Sequence, residues 1–321
     1  MIEIGINSIA ISLPKSILTN RDLEKTVDTT DEWILSRTGI KERHRLGAHE
    51  RLRPLVSEAA GKAMEKGGLT ADNLDFIISS TVIPDRFCPA QSYEIAHDLG
   101  AGKVFCFDLN AACSGFIYGM ATAEAFLKTR NIKSGLVTAA EQMTTVTDYA
   151  DRNSCVLFGD AAAAAVITNS HPKHKILYTE LGANAELCEE VIIGGTKDLL
   201  HNKRADFWFR QSGRTVFKFA VSTIKELYES IPRKAGIKPS QVRYVIPHQA
   251  NSRITEAARE SALGKEGKAE FISVIEKYGN TSSVSIALAL HDSWSLFQKG
   301  DHILLIAFGG GMSWAAALLE W

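Results

Sequence analysis

Val104-Phe-Cys-Phe-Asp-Leu-Asn-Ala-Ala-Cys-Ser-Gly-Phe-Ile-Tyr-Gly119 reads as a buried strand running straight into a helix. The apolar run suits a strand covered on both faces, and the small residues Ser114 and Gly115 mark the change from strand to helix period. Cys113 stands at that junction. The first N–H groups of a helix lack intrahelical partners and the macrodipole is positive there, so the thiol is expected to ionise easily and act as a nucleophile. His248 in Pro247-His-Gln-Ala-Asn251 and Asn280 in Gly279-Asn-Thr-Ser-Ser283 follow downstream. Cys, His and Asn in that order suggest covalent catalysis on an acyl group.

The surroundings of Cys113 occur twice. Leu74-Asp-Phe-Ile-Ile-Ser-Ser-Thr81, after a polar turn at 70–73, resembles Val242-Arg-Tyr-Val-Ile-Pro-His248 after a polar turn at 238–241. The strand before Cys113 parallels Glu270-Phe-Ile-Ser-Val-Ile275, so Cys113 and Asn280 are expected at matching helix starts. Ser134-Gly-Leu-Val-Thr-Ala-Ala140 parallels Gly300-Asp-His-Ile-Leu-Leu-Ile-Ala307. Both halves close on a glycine turn between apolar strands, at Phe158-Gly-Asp160 and Phe308-Gly-Gly-Gly311. A duplication explains this, with one half at 1–170 carrying the cysteine and one at 171–321 carrying the histidine and asparagine. Apolar strands alternating with amphipathic helices at 56–66 and 222–235 predict an α/β fold of mainly parallel sheets covered by helices. The first half is longer by 141–157, which is expected to form a cap over the substrate.

Composition narrows the function. With 321 residues, 45% of them hydrophobic, the chain can bury a large core, and a net charge of −1 argues against a nucleic-acid-binding stripe or a disordered acidic tail. No run of apolar residues is long enough to span a bilayer and no signal-peptide pattern opens the chain, so a cytosolic protein is expected. The five cysteines, Cys88, Cys106, Cys113, Cys155 and Cys188, are odd in number and lack paired spacing. That disfavours a disulfide framework or a zinc site, and most of them are expected in the core. His171-Pro-Lys-His174 has chelating spacing but no third ligand, so no metal is expected there.

Linked motifs carry a resemblance from end to end. Asp28-Thr-Thr-Asp-Glu-Trp-Ile34, Arg37-Thr-Gly-Ile-Lys-Glu-Arg-His44, Ala111-Ala-Cys-Ser-Gly115, Phe158-Gly-Asp160, His248-Gln-Ala-Asn251, Gly279-Asn-Thr-Ser282 and Phe308-Gly-Gly-Gly-Met-Ser-Trp314 stand in order. Together they resemble the β-ketoacyl-ACP synthase III branch of the thiolase superfamily. The resemblance implies a thiolase-like five-layered αβαβα fold from two duplicated halves, a homodimer, and decarboxylative Claisen condensation of an acyl-CoA primer with malonyl-ACP, initiating fatty acid synthesis. No cofactor is implied beyond the CoA and ACP thioesters themselves.

Alone, Cys113 would read as a packing cysteine, since free cysteine is among the most buried residue types. The resemblance makes it the nucleophile that holds the acyl group, with the oxyanion on the backbone N–H groups of Cys113 and Gly310. His248 and Asn280 would donate hydrogen bonds to the enolate oxygen formed when malonyl-ACP loses carbon dioxide. Asn251 would orient the site. On a helix opened by a capping box at Thr29-Thr-Asp-Glu32, Trp33 and Arg37 share a face, and the adenine of CoA would lie between Trp33 and Arg152. Gly213, Phe217, Ala250 and Asn251 match positions along CoA and its pantetheine, while Arg37, Lys218 and Arg253 would form a basic rim for acidic acyl carrier protein. Arg214 departs from the family's asparagine. In Phe87-Cys-Pro89 the residue before proline would gate the partner's acyl pocket; here it is Cys88, or Phe87 after a one-residue slip. A small gate would admit a longer or branched primer, and Arg86 raises the idea of a primer with its own carboxylate.

Other functions fit less well. A specialised relative, priming a secondary-metabolite or cofactor pathway or acylating another nucleophile, would share these motifs. Degradative thiolases need a second cysteine in the C-terminal glycine turn, and Phe308-Gly-Gly-Gly311 has none. Asn280 disfavours the two-histidine synthases. Cysteine proteases also run Cys, His, Asn, but a repeat of α/β units does not suit the papain fold.

Overall fold

Side chains alternate across the main strands, and each face finds its own helices. The computed structural model describes residues 2–200, 204–264 and 267–321. Ten strands form the main sheet: β1 (Gly5–Ser12), β2 (Phe76–Ser80), β3 (Phe105–Leu109), β4 (Ser134–Gln142), β5 (Asp160–Thr168), β6 (His174–Ala183), β7 (Val242–Pro247), β8 (Glu270–Phe271), β9 (His302–Gly309) and β10 (Ser313–Glu320). Their order is β8-β7-β9-β10-β6-β1-β5-β4-β2-β3. Outward from the centre, β1-β5-β4-β2-β3 repeats as β6-β10-β9-β7-β8. The halves meet where β1 pairs with β6 at Gly5↔Lys175 and Ile6↔His174.

The longer helices are α1 (Asp31–Thr38), α2 (Leu52–Gly67), α3 (Gln91–Asp98), α4 (Gly115–Thr129), α5 (Gly213–Lys234), α6 (Ser252–Leu263) and α7 (Ser285–Asp292). On β5, Ala161, Ala163, Ala165 and Ile167 face a central core with α4 and α7, while Ala162, Ala164 and Val166 face a second core with α2. On β9, Ile303, Leu305 and Ala307 face the central core, and Leu304, Ile306 and Phe308 face a third core with α5 and α6. The layers are therefore helix, half-sheet, paired helices, half-sheet, helix, the five expected. Complete burial on both faces explains why these strands are almost wholly apolar.

Pairing departs from the mainly parallel expectation. β2 is parallel to β3 and β4, and β7 to β8 and β9, but β1, β5, β6 and β10 pair antiparallel with their neighbours. The glycine turn at 309–312 joins neighbours β9 and β10 directly, which only an antiparallel pair permits.

Local boundaries also shift. α1 is capped by Thr30, whose Oγ1 accepts from the N–H of Trp33, so the expected box at Thr29 is one residue early. Helices expected at 56–66 and 222–235 extend to Leu52–Gly67 and Gly213–Lys234. Only Cys106 and Cys155 are buried; Cys88 and Cys188 are exposed on connecting segments. The ring of His174 lies 3.6 Å from that of Trp321 in a near-parallel stack. Among the described residues no helix is long and apolar enough to cross a membrane.

Candidate active site

The two half-sheets deliver equivalent turns to one centre. After β3, a short turn at Ala112–Ser114 leads into α4; after β8, a matching turn at Ser282–Val284 leads into α7. Ala112 (φ 46) and Ser282 (φ 52) hold the same left-handed backbone, and the Oδ1 of Asn110 and Asn280 accept from Ala112 N (3.1 Å) and Ser282 N (2.9 Å). The counterpart of Cys113 is therefore Ser283, and that of Asn280 is Asn110. This corrects the expected match of Cys113 with Asn280. The asparagine precedes the left-handed residue by two in both turns, and the cysteine follows it.

Cys113, His248, Asn280 and Gly310 line one cavity of about 410 Å³ with Phe308, Gly309 and Met143. An outer cavity of about 540 Å³ is lined by Gly213, Arg214, Phe217, Lys218, Asn251 and Arg253. The two share Gln211, Val216, Ala250 and Asn280, so they form one path from the surface to the thiol. Gly309 must be glycine because of close approach: a Cβ there would lie 2.7 Å from the backbone N of Cys113. Asn251 caps α6, its Oδ1 accepting from Arg253 N at 2.9 Å.

Hydrogen bonds fix the direction of both polar side chains. Asn280 uses Oδ1 on Ser282 N, which leaves its amide N–H groups as donors. Ser285 Oγ receives the N–H of Gln249 (3.4 Å) and lies 2.7 Å from His248 Nδ1. We assign the hydroxyl proton to Nδ1, which leaves Nε2–H as the free donor. Burial pushes His248 down to about 3, so the imidazole is neutral.

Burial also reverses the expectation for the nucleophile. Cys113 opens on the cavity, but the cavity lies inside the protein, and this desolvation pushes the thiol up to about 12. Nearby Glu141 acts in the same direction, and a 3.6 Å contact with Ser282 Oγ opposes it. The resting group is a thiol rather than the expected thiolate.

The segment after β4 borders the cavity through Met143 and Phe158. Fully buried Arg43 tethers it, donating to Val156 O (2.7 Å), Asn20 Oδ1 (2.8 Å) and Leu18 O (3.2 Å). The Arg152 guanidinium lies 4.6 Å from the Trp33 ring and donates to Asp28 O at 2.9 Å, while Arg37 is exposed on the same helix. Phe87 and Cys88 lie on an exposed loop, and neither lines this chain's cavity. Arg86 is exposed and pairs with Glu94 at 3.3 Å. Sequence reading missed Val191, Ile193, Phe209 and Ser282 of the cavity wall, and the buried partners behind it, Glu141 and Ser285. The hydrophobic residues lie in a stretch without clear periodicity, so nothing local marked them.

Fold and site together define a thiolase-fold condensing enzyme, with a cysteine at a helix start facing the cavity. Two family profiles match, 3-oxoacyl-[acyl-carrier-protein] synthase III over residues 107–185 and its C-terminal part over 233–321. The chain is 42% identical, over 97% of each chain, to the β-ketoacyl-[acyl-carrier-protein] synthase III of Aquifex aeolicus. The crystal structure of the 3-oxoacyl-[acyl-carrier-protein] synthase III from that organism superposes with a TM-score of 0.91 at 40% identity, covering 99% of this chain and all of the other. The priming β-ketosynthase of a polyketide pathway also reaches 0.91, at 30% identity and covering 99% and 96%. This chain belongs to the β-ketoacyl-ACP synthase III family and is an acyltransferase.

Proposed function

We propose that the chain condenses an acyl-CoA primer with malonyl-ACP through an acyl-Cys113 intermediate, as the first step of fatty acid synthesis. One observation carries the reading: the thiol, two oriented neutral donors and the glycine turn face a single cavity reached by a tunnel. Cys113 takes the acyl group, its N–H and that of Gly310 holding the oxyanion. Malonyl-ACP then enters the same tunnel, and His248 Nε2–H and the Asn280 amide stabilise the enolate that decarboxylation releases. The carbanion attacks acyl-Cys113. The thioesters are substrates, and no metal or other cofactor enters this scheme.

Trp33, Arg37 and Arg152 would hold the nucleotide, and Gly213, Phe217, Ala250 and Asn251 the pantetheine. Exposed Lys218 and Arg253 at the mouth suit an acidic carrier protein. A homodimer is part of the proposal. It is supported by edge strand β3, with Phe105, Phe107 and Leu109 partly exposed, and by Phe87, which is 86% exposed and would reach the partner's acyl pocket beside Cys88. We place the enzyme in the cytoplasm, where its five unpaired cysteines stay reduced.

Intact mass after brief incubation with acetyl-, butyryl- and octanoyl-CoA tests the reading, wild type against Cys113→Ala. A cysteine-dependent adduct that malonyl-ACP converts to β-ketoacyl-ACP is expected. An adduct discharged only to another acceptor would make the protein a specialised acyltransferase, and no adduct with any primer would overturn Cys113 as nucleophile.

A further inference from the structure

Resting on that reading, the thiol proton needs a destination. His248 offers none, because Nδ1 is held by Ser285 and Nε2 carries a proton. A different path leads away from the sulfur. Cys113 Sγ contacts Ser282 Oγ at 3.6 Å, and Ser282 Oγ donates to Glu141 Oε1 at 3.4 Å. Glu141 is completely buried on β4, and it also accepts from Ser283 Oγ (2.6 Å) and Val82 N (3.0 Å). A buried carboxyl is costly to keep without a use or a counter-charge, and its bonding partners are all neutral donors. Ser282 holds its hydroxyl between thiol and carboxylate from a left-handed backbone, a strain of the kind that collects at working sites.

We propose that Ser282 and Glu141 form a proton relay that receives the Cys113 proton during acylation, with Glu141 as a positioning residue acting through Ser282. As Sγ bonds to the thioester carbon, the S–H proton passes to Ser282 Oγ and the serine proton to Glu141 Oε1. The carbon–sulfur bond of acyl-CoA breaks, CoA leaves with the electron pair, and solvent protonates it. When condensation breaks the Cys113–acyl bond, the thiolate recovers its proton by the reverse path. Glu141 gains and loses one proton per cycle, and the proton consumed overall ends on CoA.

Burial holds Glu141 up to about 7, so it is a competent acceptor above neutrality. The titratable groups on the elements packed around it are few. Cys113 faces it from the turn before α4; Asp160 on β5 is turned away to Thr144 and Leu46; Asp85 in the loop after β2 holds the start of α2; the turn at 282–284 presents serines.

Single-turnover acylation of Cys113 by acetyl-CoA, followed by quenched intact mass from pH 5.5 to 9.5, tests the relay. Wild type is expected to accelerate through neutrality and level off. Glu141→Gln is expected to lose at least tenfold on the plateau and to lose the near-neutral rise, with Glu141→Asp partly restoring both. Ser282→Ala should match Glu141→Gln and add nothing to it in the double variant. Ser283→Ala, which loses the shorter bond to Glu141 but no contact with sulfur, should keep the plateau rate, with the rise moved to higher pH because that bond lowers Glu141. Acylation of Glu141→Gln within twofold of wild type at every pH would overturn the relay. A uniform loss with an unchanged pH profile, or an equal loss in Ser283→Ala, would overturn it in favour of a structural role. Wild type failing to acylate would instead strike the nucleophile assignment itself.

Discussion

Ser285→Ala isolates the direction in which His248 donates. Ser285 Oγ is the partner of Nδ1, at 2.7 Å in a fully buried setting, and alanine leaves that nitrogen without one. An unsatisfied buried polar atom costs about 1–3 kcal/mol, and with no hydroxyl donating to Nδ1 nothing holds the proton on Nε2, so the Nδ1–H tautomer becomes populated. The free nitrogen then becomes an acceptor facing the thioester oxygen. Stabilisation is lost only where enolate charge develops, so condensation should slow by about 5- to 150-fold, the same energy read as a rate. Acylation should stay within about threefold, since it does not use this donor. Rapid-quench measurement of acyl-Cys113 formation, then of its discharge by malonyl-ACP, separates the steps. Equal losses in both, or unchanged discharge, would refute the tautomer assignment.

Further outcomes follow from distances and burial. Gly309→Ala should reduce turnover by at least about 100-fold, because its Cβ would press on the backbone N of Cys113, and an ångström of misplacement at a nucleophile costs that much. Steady-state assay with a melting curve distinguishes this from unfolding. Trp33→Ala should raise KM for acyl-CoA about tenfold with kcat little changed, since neither Trp33 nor Arg152 lines the cavity at Cys113. His248 is held near 3 against an ordinary 6.5, so the unfolded chain binds the extra proton and stability falls as pH drops through that window. Glu141 is held near 7 against 4.5, so the folded chain binds the extra proton and stability falls as pH rises between those values. From pH 6.5 to 5 each is worth about 2 kcal/mol, with opposite sign. Urea midpoints should therefore become more acid-sensitive in Glu141→Gln and less so in His248→Asn; parallel profiles would contradict the shifts.

The two-fold repeat, the strand-to-helix junction at Cys113 and the later histidine and asparagine were legible because each is a local pattern. Apolar runs of strand length and small residues at helix starts follow from backbone geometry that the chain carries wherever it goes. Register was less secure. The pairing of Cys113 with Ser283, and not Asn280, depended on left-handed residues at Ala112 and Ser282 that nothing in their side chains announces.

Tertiary structure decided what each site residue can do. Glu141 and Ser282 lie 141 positions apart in sequence, yet share a buried hydrogen bond beside the thiol. Burial decided the charge states, raising Cys113 and lowering His248, where the helix start alone suggested a thiolate. Sequence by itself determined the fold and placed Cys113 at a helix start, since periodicity is a property of neighbours along the chain. Protonation, hydrogen-bond direction and cavity walls belong to neighbours in space, and only the folded chain brings those together.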